Sequence, residues 1–269
     1  TGEHVRTLCH HVITARIGIT WAGECLLFSN RYLFDANRRI LLWDYGPSSE
    51  RPEATVHQGG RFWFVSKPDS PSGANLLSSA IPHADAVEMA DSLGSPDSLL
   101  VVKPGTEVKI EVDIHPSNGP PTEARTTIEQ NATEAALVVV EDAPLVLSAI
   151  CKPQEQQKLR INTGDRFRPQ PSDIVERTVT PHSSLLEMKL NGETVYKRGY
   201  LAQPGMTIWL EKGESLDAGL KRLTSPNLDV LTKTKIPSEL GRPGQASENG
   251  AYGTSTLSGQ PIDNGQRFE

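Results

Sequence analysis

His4, Cys9, His10, His11 and Cys25 are the densest set of metal-ligating side chains in the sequence. Imidazole and thiolate donors suit zinc, which takes four ligands in a tetrahedral array. On an extended strand, His10 and His11 point to opposite faces, so only one of them can share a face with Cys9. The set that remains is His4, Cys9, His11 and Cys25, and its spacing matches no named zinc pattern. An ordinary strand surface accounts for the same residues, so no metal or other cofactor is expected. A metal-dependent enzyme built on these four residues is the alternative.

Cys25 and Cys151 would act as nucleophiles only with a paired base and a depressed pKa. Both fall in strand-like runs, where a cysteine behaves as a small buried hydrophobe. The three cysteines allow at most one internal bridge, which is no disulfide framework. The chain has no G-x-S-x-G elbow, no phosphate-binding or dinucleotide-binding glycine pattern and no H-E-x-x-H. Glu111 and Asp113 alternate along one strand and read as a solvated face. Asn131-Ala132-Thr133 fits a glycosylation sequon but falls within a helical pattern, so it reads as chance. No catalytic residue and no small-molecule substrate emerge.

The aromatic residues carry more information. Trp21, Trp43, Phe62, Trp63 and Phe64 cluster early in the chain, at a density that fills a β core. Phe62 and Phe64 share one face of a strand and Trp63 takes the other. One face therefore goes to the core, and the other is a candidate binding face for a peptide or a sugar. A carbohydrate-binding β module is accordingly a second alternative.

Composition narrows the partners. The net charge of −6 comes with no basic block, which disfavours nucleic acid. No run approaches the roughly 18 apolar residues of a membrane span. Gly 22 and Pro 20 in 269 residues fit a turn-rich β fold. The chain opens at Thr1 without a leader and reads as a processed product or a piece of something longer.

The elements follow from the pattern. Residues 18–46 hold four short apolar runs, Ile19–Trp21, Leu26–Phe28, Tyr32–Asp35 and Ile40–Tyr45, separated by turns, the first of them Ala22-Gly23-Glu24; this predicts an antiparallel meander. Residues 46–60 read as a loop and Arg61–Ser66 as a strand. Residues 74–93 read as two short helices broken at Pro82. Strict alternation over 107–114 predicts a half-buried strand. Residues 122–136 read as a helix burying Ala124, Ile128, Ala132 and Ala135. Strands follow at 137–141 and 144–151, and residues 152–173 show no core pattern. Beyond them, strands are expected at 174–180 and 185–190, with a return at 194–196 after the Asn191-Gly192 hairpin turn. Another is expected at Met206–Leu210, then a helix at 214–223.

Several segments resemble the C-terminal region of the large WD-repeat β-propeller proteins of planctomycete-type bacteria. They are Ser29–Gly46, ending in Trp43-Asp44; Val102-Lys103-Pro104-Gly105; residues 175–180; Leu190–Tyr196; Glu211–Leu216; and Gly250–Ser255. The resemblance implies a last-blade-like meander followed by an α+β domain, within a longer protein. It carries over no catalytic residue. No Gly-His dipeptide precedes Trp43-Asp44, and residues 1–66 hold room for about one blade.

The expectation is therefore an α+β chain, mainly β. Residues 1–66 form a propeller-blade-like antiparallel meander, 67–98 a helical connector, 99–224 a small α+β domain and 225–269 an irregular or partly disordered tail. Its expected function is a non-enzymatic protein-interaction or scaffold module. The partner would be another protein or other domains of its own longer chain.

Overall fold

The computed structural model describes residues 18–46, 54–58, 61–66, 75–115, 118, 120–164, 173–205, 207–255 and 260–261. The described residues are mainly β. The chain divides into two compact units, residues 1–103 with 239–269, and residues 104–238. The sequence pattern places joints at 66/67, 98/99 and 224/225 instead. The difference arises because the C-terminal residues pair with strands near the start of the chain.

The first unit opens with a meander of β1 (Ile19–Ala22), β2 (Cys25–Phe28), β3 (Tyr32–Asp35) and β4 (Ile40–Asp44). Each strand pairs antiparallel with the next. Gly23 supplies the positive φ (63°) of the β1–β2 turn. Alternation sends Ala22, Cys25, Leu27 and Leu33 into the core. A second antiparallel sheet holds β5 (Ala54–Gln58), β6 (Arg61–Ser66) and β7 (Asn75–Ala80). Two readings are corrected here. Residues 54–58 are strand rather than loop, and residues 75–80 are strand rather than the first of two helices. A six-residue stretch with paired apolar positions satisfies either period, and β6 offers it a backbone partner along its full length.

Next come α1 (Ala84–Ser92), where the second helix is expected, the one-turn α2 (Pro96–Leu99) and β8 (Leu100–Val102). Ala86 of α1 joins a core of Leu27, Leu33, Ile40, Leu42, Trp43, Tyr45, Phe62 and Ile81.

The second unit contains β9 (Glu107–Ile114), α3 (Pro121–Glu134), β10 (Val138–Val140), β11 (Leu145–Pro153), β12 (Gln157–Asn162), β13 (Ile174–Val179), β14 (His182–Leu190), β15 (Glu193–Ala202), α4 (Leu216–Thr224) and α5 (Asp229–Thr232). Its main sheet runs β10-β9-β11-β14-β15, with β9 parallel to both β10 and β11 and the other pairs antiparallel. Ile110, Leu147 and Met188 lie in one row across three strands and are all buried. Helix α3 buries Ala124, Ile128 and Ala132, and Ala135 just beyond it is buried too. Asn191 and Gly192 both take positive φ, 52° and 86°, as the type I′ turn between β14 and β15 requires.

Two further readings are corrected. Residues 157–162 form β12, paired with β13 in a separate two-stranded sheet. Residues 207–210, read within a strand, adopt no regular structure. Ile208, Trp209 and Leu210 are apolar in succession, so they lack the alternation that seats a strand on a core. Trp209 is left 81% exposed.

The chain then returns to the first unit. Its last strands are β16 (Leu240–Gly241), antiparallel to β8, β17 (Gly253–Thr254), parallel to β4, and β18 (Gln260–Pro261), antiparallel to β7. The expected irregular tail thus contributes one strand to each of three sheets of the first unit. Two-residue strands have no periodicity to read, so only their partners define them. Among the described residues, no helix is long and apolar enough to cross a membrane.

Candidate functional site

The Trp43-Asp44 step organises the first unit. Trp43 is the penultimate residue of β4 and is buried; its indole N–H donates to Ser255 Oγ at 2.9 Å. Gly253 of β17 lies directly on its ring, where a Cβ would overlap the indole, so only glycine fits this approach. His83 meets the ring edge-on, with centroids 4.7 Å apart.

Asp44 points to the other face of β4 and is also buried. Arg31 grips it through two bonds of 2.6 and 3.0 Å, Asn249 Nδ2 donates at 3.0 Å and the Gly46 N–H at 3.0 Å. Burial works against its charge, but the hydrogen bonds from Arg31, Asn249 and Gly46 outweigh burial and hold its pKa below the ordinary value.

Tyr45 and His83 form a second polar pair. The Tyr45 hydroxyl lies 3.0 Å from His83 Nδ1. Burial pushes the phenol pKa up, so Tyr45 stays protonated, and the imidazole tautomer sets which of the two donates. The other ring nitrogen, Nε2, faces Asp85 at 4.0 Å. Burial lowers the His83 pKa, and Asp85 opposes this only in part. The unfolded chain therefore binds the proton more readily than the folded one. Stability of the first unit is expected to be complete above about pH 6.5, the ordinary histidine value, and to fall as pH drops below it toward the folded value. Urea titrations across that range check this, and His83→Asn should flatten the dependence.

The five aromatic candidates separate. Trp43 and Phe62 are core residues. Trp63 is half-buried, opposite Val56, with its indole N–H 3.4 Å from the Gln58 carbonyl. Phe64 lies in β6, with its side chain outside the described residues. Trp21 is 60% exposed beside Ile19 at 59%, two positions apart on the outer face of β1, which is an edge strand among the described residues. Behind them on β2 are their register partners Leu26 and Phe28, both half-buried. These four side chains make one apolar patch.

Comparison with protein families, curated proteins and solved structures finds no match. The site must be judged by its own chemistry.

Of the candidate metal ligands, His4, Cys9 and His11 lie outside the described residues, as does His10. Cys25 is buried, and burial, reinforced by Asp35 and Glu24, pushes its pKa up to about 11. A thiol held protonated at neutral pH is a poor nucleophile. Among the described residues, no group of three His, Cys, Asp or Glu is placed to hold a metal ion. Cys151 is fully buried, 3.5 Å from both Ser184 Oγ and Asn118 Nδ2.

Sequence reasoning missed Arg31, His83, Asn249 and Ser255. The last two lie more than 200 positions from Trp43-Asp44, and no local pattern signals such partners. A polar residue adjoining an apolar run, as Asp44 does, was the one available hint of a buried acceptor.

Proposed function

We propose that the chain is a non-enzymatic interaction module whose meander β1–β4 packs its outer face against another β-sheet surface. That surface belongs to a partner or to another part of its own longer chain. The observation that carries this reading is the pair Ile19 and Trp21, both about 60% exposed on an edge strand and continuous with Leu26 and Phe28. Contiguous exposed apolar side chains on an otherwise ordered sheet mark an interaction surface. The resemblance of this meander to a propeller's last blade supports the same reading, since a blade buries both faces. The strong local anchoring of Trp43 and Asp44 gives such a sheet the rigidity to dock without reordering.

A photo-crosslinking residue at position 21, incorporated in the native host, tests it. The expected product is an adduct to a β-sheet segment, and Ile19→Lys should abolish it without altering the circular dichroism spectrum. Full incorporation with no adduct would overturn the docking. Stoichiometric zinc in the purified chain, lost on Cys9→Ala, would overturn the non-enzymatic reading.

A further inference from the structure

A second site lies in the other unit. The sheet of β12 and β13 has only two strands, and among the described residues no third strand joins it. The Thr163 N–H donates to the Asp173 carbonyl at 2.9 Å. This pair continues the register that runs from Gln157↔Val179 to Asn162↔Ile174. In an antiparallel ladder, hydrogen-bonded pairs alternate with outward-facing ones. Gln157, Leu159 and Ile161 thus spend their backbone groups on β13, whereas Lys158 and Arg160 turn theirs outward.

A cleft of about 610 Å³ follows this strand. Its near wall is residues 159–164 without a gap, so it tracks the backbone rather than one face of the hairpin. The far wall comes from residues 204–216, with Ile208, Leu210 and Leu216 as its apolar part. That wall is fixed in place. Arg222 of α4 donates to the Trp209 carbonyl at 3.1 Å and to Glu214 at 2.8 Å. Leu210 packs so closely on Gly219 that a Cβ there would overlap it. Trp209 itself projects from the rim, 81% exposed on an anchored backbone. An ordered and exposed tryptophan beside an apolar cleft is the residue type that dominates binding energy at interfaces.

We infer that this cleft binds an extended, acidic peptide segment, which adds to β12 as a third strand. The outward N–H and C=O groups of Lys158 and Arg160 supply the ladder, and the cleft takes alternate apolar side chains. Charge selects the occupant. Arg160 sits 3.7 Å from Glu176 with both side chains over 70% exposed, a pairing too loose and solvated to hold it. Lys158 and Arg160 repel a second copy of β12 and attract carboxylates on an incoming strand. The site is separate from the Ile19–Trp21 face and does not depend on it.

The test uses the full chain and a fluorescent peptide alternating valine and glutamate, followed by anisotropy. Saturable binding is expected. It should weaken about tenfold or more when alternate peptide amides are N-methylated, when lysine replaces glutamate, or on Arg160→Glu. Arg160→Lys should retain it, and Trp21→Glu should leave it unchanged. Circular dichroism confirms that each variant folds. Absence of saturable binding, or an N-methylated peptide that binds as well as its parent, would overturn the inference. Equal affinity of Arg160→Glu would show that charge does not select the ligand and would equally overturn it.

Discussion

Replacing Trp43 by alanine is expected to destabilise the first unit by about 4 kcal/mol, near the upper end for a large core deletion. The cost has three sources. The largest is a cavity lined by Gly253 and its neighbours, since a two-residue strand such as β17 has little else to hold it against β4. The second is the edge-on contact with His83, and the third is the bond to Ser255. Trp43→Phe keeps most of the volume and loses the bond, so it should cost about 1–2 kcal/mol. Ser255→Ala should cost about 1 kcal/mol. Trp43→Phe combined with Ser255→Ala should then cost less than the two singles added, because both remove the same bond. Thermal unfolding followed by tryptophan fluorescence in a Trp209→Phe background reports on the first unit alone, because Trp21, Trp43 and Trp63 all lie there.

Asp44→Ala is the second large effect, at about 3 kcal/mol. It removes the shared acceptor of Arg31, Asn249 and the Gly46 N–H and leaves a half-exposed guanidinium facing an apolar gap. Asp44→Asn should recover part of the loss, since its amide oxygen still accepts, but it cannot match a charged bidentate partner. The pH dependence runs in a definite direction. The folded carboxyl has a lowered pKa, so its contribution is complete above the unfolded value of about 3.9 and is lost as pH falls through the folded one. Acid unfolding of the wild type should therefore contain a component that Asp44→Asn lacks. The variant should show its deficit in full near neutral pH and approach the wild type in strong acid.

The meander was legible because each of its strands is a short apolar run closed by turn residues; the range of β3 falls as the pattern reads and those of β1, β2 and β4 differ by one residue. Asn191-Gly192 was legible because few dipeptides tolerate two successive positive φ angles. Helix α3 was legible through Ala124, Ile128 and Ala132, which recur at helical spacing. Other elements are defined by partners rather than by their own residues. β5 and β12 are polar and exposed on at least one side, and each exists because an adjacent strand pairs with it. Residues 75–80 fit two periods, and β6 decides between them. Ile208-Trp209-Leu210 has strand-forming residues but pairs with no strand among the described residues. Within the site, Trp43 stood out as an anchor from aromatic density alone. Which aromatics would face solvent did not, since that depends on which face of each sheet meets the core.

The return of residues 239–255 to the first unit has a consequence for synthesis. Ser255 lies 212 positions after Trp43, and residues 104–238 intervene as a unit of their own. On a ribosome, the intervening unit emerges whole before the closing strand β17 leaves the exit tunnel. Its sheet and helices can therefore form first, and the meander waits with Trp43 and Asp44 unsealed until the last strands arrive. A nascent chain arrested with residue 238 just outside the exit tunnel should be protected from protease across the inserted unit while residues 18–46 remain cleavable. Seen this way, residues 239–255 act as a latch that closes the first unit only after the inserted one has formed.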